Sequence, residues 1–165
     1  VAGATGVLTL HHWPDLPLGM RELYRVLQPG ARLVFFTSTP AQMAGYWLQH
    51  YFPRMLQDSQ AQMPRLEVVV EAFSAAGFRR IHTEDYAVAP DLQDGFLYVG
   101  KHDPTRYLDP DLRRGISSFA DLARAREVED GLASLAEDIA SGKVREVMTQ
   151  YRHAGGDYCF VVAER

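Results

Sequence analysis

Two histidines and a tryptophan stand side by side near the start of the chain, in the stretch TLHHWPDLPL. Each histidine could orient a substrate hydroxyl or accept its proton, because the pKa of an imidazole lies near neutrality. The neighbouring indole could cover a cationic ligand, because the electron-rich face of the ring attracts positive charge. His11, His12 and Trp13 are therefore the first residues to consider for a binding or catalytic site.

The residues on either side of this stretch predict a β-α-β unit. Residues 5–10 form a short apolar run that predicts a buried strand, and residues 17–27 carry apolar side chains at helical spacing. Pro29 and Gly30 end that helix, and residues 33–36 are apolar on both faces, as in a parallel strand covered by helices. Ligands of open α/β sheets bind outside the carboxyl ends of the strands, so both histidines would lie at that end.

The remaining sequence predicts two more strands separated by a long helical segment. A helix is expected over residues 64–76, and the polar strand that follows, residues 79–88, is better placed at a sheet edge than at its centre. Residues 91–155 indicate mostly helices, and residues 158–163 are apolar on both faces, which is typical of a central strand. The last strand is therefore expected between its two predecessors in a four-stranded sheet.

Three segments carry a resemblance to a known family. The run GVLTLHHWPDLPLGMRELYRVLQPGARLVFF, residues 6–36, resembles the fourth strand, the following helix and the fifth strand of class I S-adenosylmethionine-dependent methyltransferases. The branch that it most resembles methylates small molecules and includes the ubiquinone and menaquinone C-methyltransferases. Residues 67–81 are similar to the next helix and the sixth strand, and residues 157–165 to the antiparallel seventh strand. Ala31 stands where the family usually has a second glycine.

The resemblance implies an α/β fold with a partial Rossmann-like methyltransferase sheet, made of strands four to seven with the last strand antiparallel. Residues 1–165 would then be the C-terminal part of a single methyltransferase domain, with residues 91–155 as a helical, lid-like insertion between the last two strands. The family binds its methyl donor mainly through a glycine-rich turn after strand one and an acidic residue after strand two. No such turn is recognised here, so the donor-binding half is expected to be missing from this chain.

The resemblance also implies S-adenosylmethionine as cofactor and places one turn beside it. Its expected donor-binding residues are Leu10, His11, His12 and Trp13, and His12 is the candidate catalytic residue. A base is not obligatory, because positioning alone accelerates methyl transfer strongly. Structural alternatives stay open: His11 could cap backbone groups, Trp13 could be a core residue, and Pro14 and Asp15 could simply begin the helix.

The expected substrate-binding residues come from later segments. They are Thr37, Ser38, Thr39, Tyr46 and Tyr107. The first three follow the second strand and would face the same ligand-binding end, although they could also cap a helix. The two tyrosines belong to aromatic segments that could cover a substrate. Their alternatives are a core stripe around Tyr46 and a solvated loop around Tyr107.

The composition argues against nucleic acid, membrane and metal partners. A net charge of −4 and a pI of about 5.8 give no electrostatic basis for binding nucleic acid or an anionic membrane. No apolar run approaches the roughly 20 residues that cross a bilayer, and no secretion leader is recognised. The lone Cys159 suits a reducing compartment, so a cytoplasmic protein is expected. A metal site of His11, His12 and Asp15 is not expected, because adjacent strand residues point to opposite faces.

The sequence therefore predicts methyl transfer to oxygen, nitrogen or carbon of a small molecule. The alternative is a non-catalytic, truncated methyltransferase-like module that serves binding or assembly, which the missing glycine turn favours. A nicotinamide-dependent oxidoreductase would also need a glycine-rich turn and lacks the support of the RVLQPG segment. The strand near Val1–Leu10 carries no charge, proline or bulge signal to protect an open edge. Self-association through that edge, or pairing with a missing N-terminal segment, is expected.

Overall fold

A computed structural model describes residues 1–153 and 155–165, which fold into two compact units. The first unit contains Val1–Pro40, Gln62–Tyr86 and Gly156–Arg165, and the second contains Ala41–Ala61 and Ala87–Gly155. The α-helices of the described residues are α1 (Leu16–Val26), α2 (Pro40–Ala44), α3 (Pro53–Gln62), α4 (Leu66–Ala76), α5 (Pro110–Arg114), α6 (Ala125–Ser141) and α7 (Val144–Gln150). None of them is long and apolar enough to span a bilayer.

The first unit is built on a mixed four-stranded sheet. Its strands are β1 (Gly3–Val7), β2 (Arg32–Thr37), β3 (Arg79–Tyr86) and β4 (Tyr158–Glu164), in the order β1-β2-β4-β3. β1 and β2 are parallel, whereas β4 runs antiparallel to both of its neighbours. The structure therefore confirms that the last strand lies between its two predecessors and that the polar third strand forms an edge.

Local signals set the ends of the helices. Asp15 caps α1 by accepting the Leu18 N–H at 2.8 Å, which confirms that this aspartate begins the helix. Gly77 ends α4 and Gly142 ends α6, with φ angles of 103° and 82°. Glycine suits both places because side chains rarely adopt that left-handed conformation.

One face of the sheet packs against α1 and α4 to form the core of the first unit. Phe35 of β2 and Phe73 of α4 meet edge to face, with their ring centroids 5.9 Å apart. The neighbouring strand adds Val161, and α1 adds Met20, both fully buried. The apolar spacing of the sequence thus places the two helices on a sheet whose central strands are β2 and β4.

The first predicted strand, residues 5–10, is wrong in extent and in burial. β1 ends at Val7, Leu8 takes a left-handed φ of 47°, and Leu10–His12 form a short 3-10 helix. The apolar run continues past Val7, so composition alone does not show where the extended backbone stops. β1 is also half-exposed rather than buried, with Val7 58% exposed, because β2 is its one strand partner among the described residues.

The second unit is helical and includes the predicted insertion, residues 91–155, together with residues 41–61. α6 and α7 confirm that helices form within residues 91–155. Hydrogen bonds between distant residues connect the two segments of the second unit. The carboxylate of Glu127 accepts the Arg54 N–H at 2.7 Å, and the Tyr51 hydroxyl donates to buried Asp138 at 2.9 Å. The Ser59 hydroxyl donates to the Ser118 hydroxyl at 2.9 Å, at the start of a π-helical turn.

Candidate functional site

The carboxyl ends of β1 and β2 bring two turns side by side in the first unit. Val7 pairs with Phe36 in the parallel ladder, and the Leu8 N–H donates to the Phe36 carbonyl at 2.9 Å. The turn after β1 carries the histidines, and the turn after β2 carries Thr37–Thr39. Both groups of sequence-predicted residues therefore begin at the same end of the sheet, which is where open α/β sheets bind ligands.

The first turn is fixed by three hydrogen bonds. The His12 N–H donates to the Thr9 carbonyl at 2.9 Å, and the Trp13 N–H donates to the Leu10 carbonyl at 3.2 Å. The Trp13 indole N–H donates to the Thr9 hydroxyl, also at 3.2 Å. Backbone and side chain thus hold the turn in one conformation, which positions both imidazole rings.

The two histidines stack against each other but differ in their surroundings. Their ring centroids lie 3.9 Å apart, and His12 is exposed whereas His11 is half-buried. Burial, and then the nearby His12, lowers the pKa of His11 below its ordinary value. The Nδ1 atom of His11 is buried and has no hydrogen-bond partner within the described part of the chain. A buried polar atom without a partner is costly, so this ring nitrogen is free to bond to a ligand.

Trp13 and Leu10 have structural roles. The Trp13 ring meets Phe35 edge to face at 5.5 Å and rests on Gly19, where an added Cβ would come within 2.4 Å of the indole. Trp13 is half-buried and packs against the core of the first unit. The Leu10 side chain is only 2% exposed and belongs to the core. Contact of these residues with a methyl donor stays a prediction.

The turn after β2 is buried and tied to the start of β4. Thr37, Ser38 and Thr39 are all buried, and the Ser38 hydroxyl donates to the Asp157 carbonyl at 2.9 Å. Asp157 is itself buried, and its N–H donates to the Tyr86 carbonyl at 2.8 Å. Sequence reasoning missed Asp157. The signal was available, because an antiparallel strand between β2 and β3 brings its preceding residue to the carboxyl end of β2.

Tyr46 and Tyr107 lie in the interior of the second unit. Their hydroxyls hydrogen-bond to each other, and the Tyr107 oxygen also accepts the Gly100 N–H at 3.2 Å and donates to the Leu97 carbonyl. Complete burial raises the pKa of Tyr107 well above its ordinary value. The burial of both rings confirms the core alternative for Tyr46 and is at odds with a solvated loop around Tyr107. A substrate contact for either tyrosine stays a prediction.

Two other chemistries find little support in the structure. Within residues 1–153 and 155–165, no three His, Cys, Asp or Glu side chains group so that they could hold a metal ion. Cys159 lies in the central strand β4, where burial and then the charge of Asp85 raise its pKa to about 11. A thiol with that pKa is a poor nucleophile at neutral pH.

Comparison with known proteins supplies the remaining evidence. No family model and no curated protein matches the sequence. Among solved structures, the chain is similar to a candidate methyltransferase from an antibiotic biosynthesis pathway of Anabaena variabilis, with 28% identity and a TM-score of 0.86. The match covers 100% of this chain and 67% of that protein. The chain has a methyltransferase-like fold.

Two weaker likenesses are to structures of Haemonchus contortus phosphoethanolamine N-methyltransferase 2. One is in complex with S-adenosyl-L-methionine, and the other with phosphomonomethylethanolamine and S-adenosylhomocysteine. Their sequence identities are 16% and 14%, with TM-scores of 0.49 and 0.47. The chain spans 33% of the length of each. Likenesses this weak carry no argument about the present chain.

Proposed function

We propose that this chain is part of an S-adenosylmethionine-dependent methyltransferase that acts on a small molecule. The observation that carries the proposal is the likeness over 100% of the chain to a candidate methyltransferase, at 28% identity. The two turns at the carboxyl ends of β1 and β2 agree with it, because they stand where such sheets bind ligands. The acidic net charge of −4 favours a small-molecule acceptor over nucleic acid. Assignment to the branch of ubiquinone and menaquinone C-methyltransferases is supported by the sequence resemblance alone.

The finer assignment of the sheet belongs to the same proposal. β1, β2, β3 and β4 would correspond to the fourth, fifth, sixth and seventh strands of the methyltransferase sheet. Residues 91–155 would serve as a lid over the acceptor. The protein would act in the cytoplasm. Most of the donor-binding groups would come from outside residues 1–165, because the family places them on strands one to three.

The described residues fit part of a donor site. His11 offers a buried Nδ1 atom that has no partner among the described residues, and His12 exposes its ring beside it. Trp13 could contribute only the part of its indole that the core leaves exposed, and Leu10 only its backbone. When bound, S-adenosylmethionine supplies an electrophilic methyl group. His11 and His12 would hold the donor from the β1 side.

The chain's own residues would contribute positioning and proton transfer. The hydroxyls of Thr37–Thr39 would orient the acceptor. Such positioning accounts for a large share of the rate acceleration, because the reacting atoms must be in line. His12, exposed at the same end of the sheet, would accept the acceptor's proton. The low pKa of His11 keeps that ring neutral at pH 7, so it would bond as a neutral imidazole rather than as a cation.

A non-catalytic module remains the second candidate for these 165 residues taken alone. The only GxxG-like segment near a predicted strand, Gly3–Gly6, lies inside β1 rather than in a turn after a strand. At Gly6 an added Cβ would come within 2.2 Å of the Phe35 ring, so this glycine serves packing. The described residues thus contain no glycine-rich turn after a strand for a methyl donor. This observation favours a binding or assembly role for the isolated chain.

A transfer assay distinguishes the two candidates. The protein expressed from its complete gene is incubated with S-adenosylmethionine tritiated in its methyl group and with an extract of small metabolites. We expect the label in solvent-extractable small molecules, and we expect His12→Gln to lower kcat by about 100-fold. His82→Gln, an exposed histidine of β3, is the matched control and should leave the rate unchanged. Label confined to protein, or none transferred, would contradict the proposal.

A further inference from the structure

A cleft lies at the opposite end of the sheet from the histidines. It has a volume of about 420 Å³ and opens where β2 and β3 begin and β4 ends. Its lining residues are Tyr24, Pro29, Arg79, Arg80, Glu164 and Arg165. Pro29 belongs to the RVLQPG segment, which is part of the resemblance to the methyltransferases. The proposed methyl transfer does not use this cleft.

Three guanidinium groups and one side-chain carboxylate line the cleft, so its side chains sum to a charge of +2 in a chain of net charge −4. Arg80 pairs with Glu164 at 3.0 Å. Arg165 lies over the Tyr24 ring, 4.8 Å from its centroid, and donates to the Leu27 carbonyl. The guanidinium of Arg79 makes no hydrogen bond or ion pair with any described residue.

The backbone is irregular where two of these arginines lie. Arg80 takes a φ of 51°, which is strained for a residue with a side chain, and a register shift between Arg79 and His82 marks a bulge in β3. Such strain costs free energy and concentrates at functional sites. On the facing strand, the Gly30 N–H donates to the Arg165 carbonyl at 2.8 Å, and the Arg165 N–H donates to the Ala31 carbonyl at 3.0 Å. The bulge turns two adjacent arginines toward one cleft.

We propose that this cleft binds the phosphate group of a small molecule. A planar guanidinium presents parallel N–H donors that match two oxygens of one phosphate, and the unpaired Arg79 has all of its donors available. The positive charge of these side chains favours an anionic group such as phosphate. Tyr24, held edge to face against Phe78 at 5.2 Å, and the Arg165 plane above it give an organic part of the ligand a flat surface.

Titration of the 15N-labelled chain with pyrophosphate, followed by NMR, tests the proposal. Inorganic pyrophosphate is the probe, and sodium chloride of equal ionic strength is the reference. We expect saturable shifts at the Gly30 and Gly77 amides, both of which adjoin the cleft. Arg79→Gln and Arg80→Gln should each weaken binding about tenfold, because each removes a charge-assisted hydrogen bond.

Arg126→Gln is the matched control, since Arg126 is an exposed arginine of the second unit whose loss should leave the affinity unchanged. Unchanged amide spectra away from the cleft show that each variant is folded. The proposal is overturned if chloride produces the same shifts, if no saturation occurs, or if both cleft variants bind pyrophosphate like the unaltered chain. The titration contains no methyl donor, so its outcome is independent of the proposed methyl transfer.

Discussion

Replacing Gly19 by alanine should destabilise the protein, although alanine is the better helix former. Gly19 lies within α1, and the ring of Trp13 rests directly on it. An added Cβ would come within 2.4 Å of two indole carbons, so the ring must move. Movement of the ring would break its hydrogen bond to Thr9 and its edge contact with Phe35.

The expected size follows from three opposing contributions. Alanine in place of glycine stabilises a helix interior by about 1 kcal/mol. Forcing an extra methyl against a packed ring costs about 1–3 kcal/mol, and the lost hydrogen bond costs about 1 kcal/mol. The free energy of unfolding should therefore fall by about 1–3 kcal/mol. Without the ring the first contribution alone remains, so Gly19→Ala in a Trp13→Ala background should stabilise by about 1 kcal/mol.

Urea unfolding followed by circular dichroism measures the four proteins of this cycle: unaltered, Gly19→Ala, Trp13→Ala and the double variant. The sign of the Gly19→Ala effect should reverse when Trp13 is absent, and the coupling free energy should reach about 2–4 kcal/mol. Stabilisation by Gly19→Ala with Trp13 present would refute the contact. It would mean that the turn holding His11 and His12 is not anchored on α1 in the way described.

Three further predictions follow from the first unit. The NMR-measured pKa of His11 should lie below its ordinary value of about 6.5, and His12→Gln should raise it only partway, because burial is the larger cause. With a lowered pKa in the folded state, the His11 imidazole binds its proton more tightly in the unfolded chain. The contribution of His11 to the free energy of unfolding should therefore fall as the pH drops below about 6.5. A measured His11 pKa above the ordinary value would contradict this prediction. Cys159, with a pKa of about 11, should react with iodoacetamide at pH 8 only after unfolding, and rapid alkylation of the native chain would show that the strand opens. In sedimentation experiments the chain should associate as its concentration rises, and Val7→Lys should reduce this association. Leu18→Lys, which changes a similarly exposed residue of α1, should not reduce it. A monomer at every concentration would disprove pairing through the β1 edge.

Much of the fold could be predicted because its signals are local. Apolar residues at helical spacing located α1, and the helix expected over residues 64–76 contains α4. The order of the last two strands followed from polarity, since residues 158–163 are apolar on both faces and residues 79–86 are not. A strand that is apolar on both faces is typical of the centre of a sheet, and β4 lies between β2 and β3.

The parts that could not be predicted depend on contacts between distant residues. Residues 41–61 join residues 87–155 in one unit through bonds such as that from the Arg54 N–H to Glu127, 73 residues later, which no local pattern encodes. The 3-10 turn at Leu10–His12 depends on the left-handed φ of Leu8, and the apolar run hides that change. Asp157 reaches the candidate site only through the antiparallel insertion of β4.

The most direct test of the proposed function is calorimetric titration of S-adenosylhomocysteine into the protein expressed from its complete gene and, separately, into residues 1–165. We expect one site of micromolar affinity in the former and weak or no binding in the latter. We also expect His11→Ala in the gene-length protein to weaken binding by about tenfold, because the ligand loses the hydrogen bond that the buried Nδ1 atom of His11 would provide. Micromolar binding by residues 1–165 alone would show that the donor site is assigned to the wrong residues. No binding by the gene-length protein would contradict the methyltransferase assignment itself.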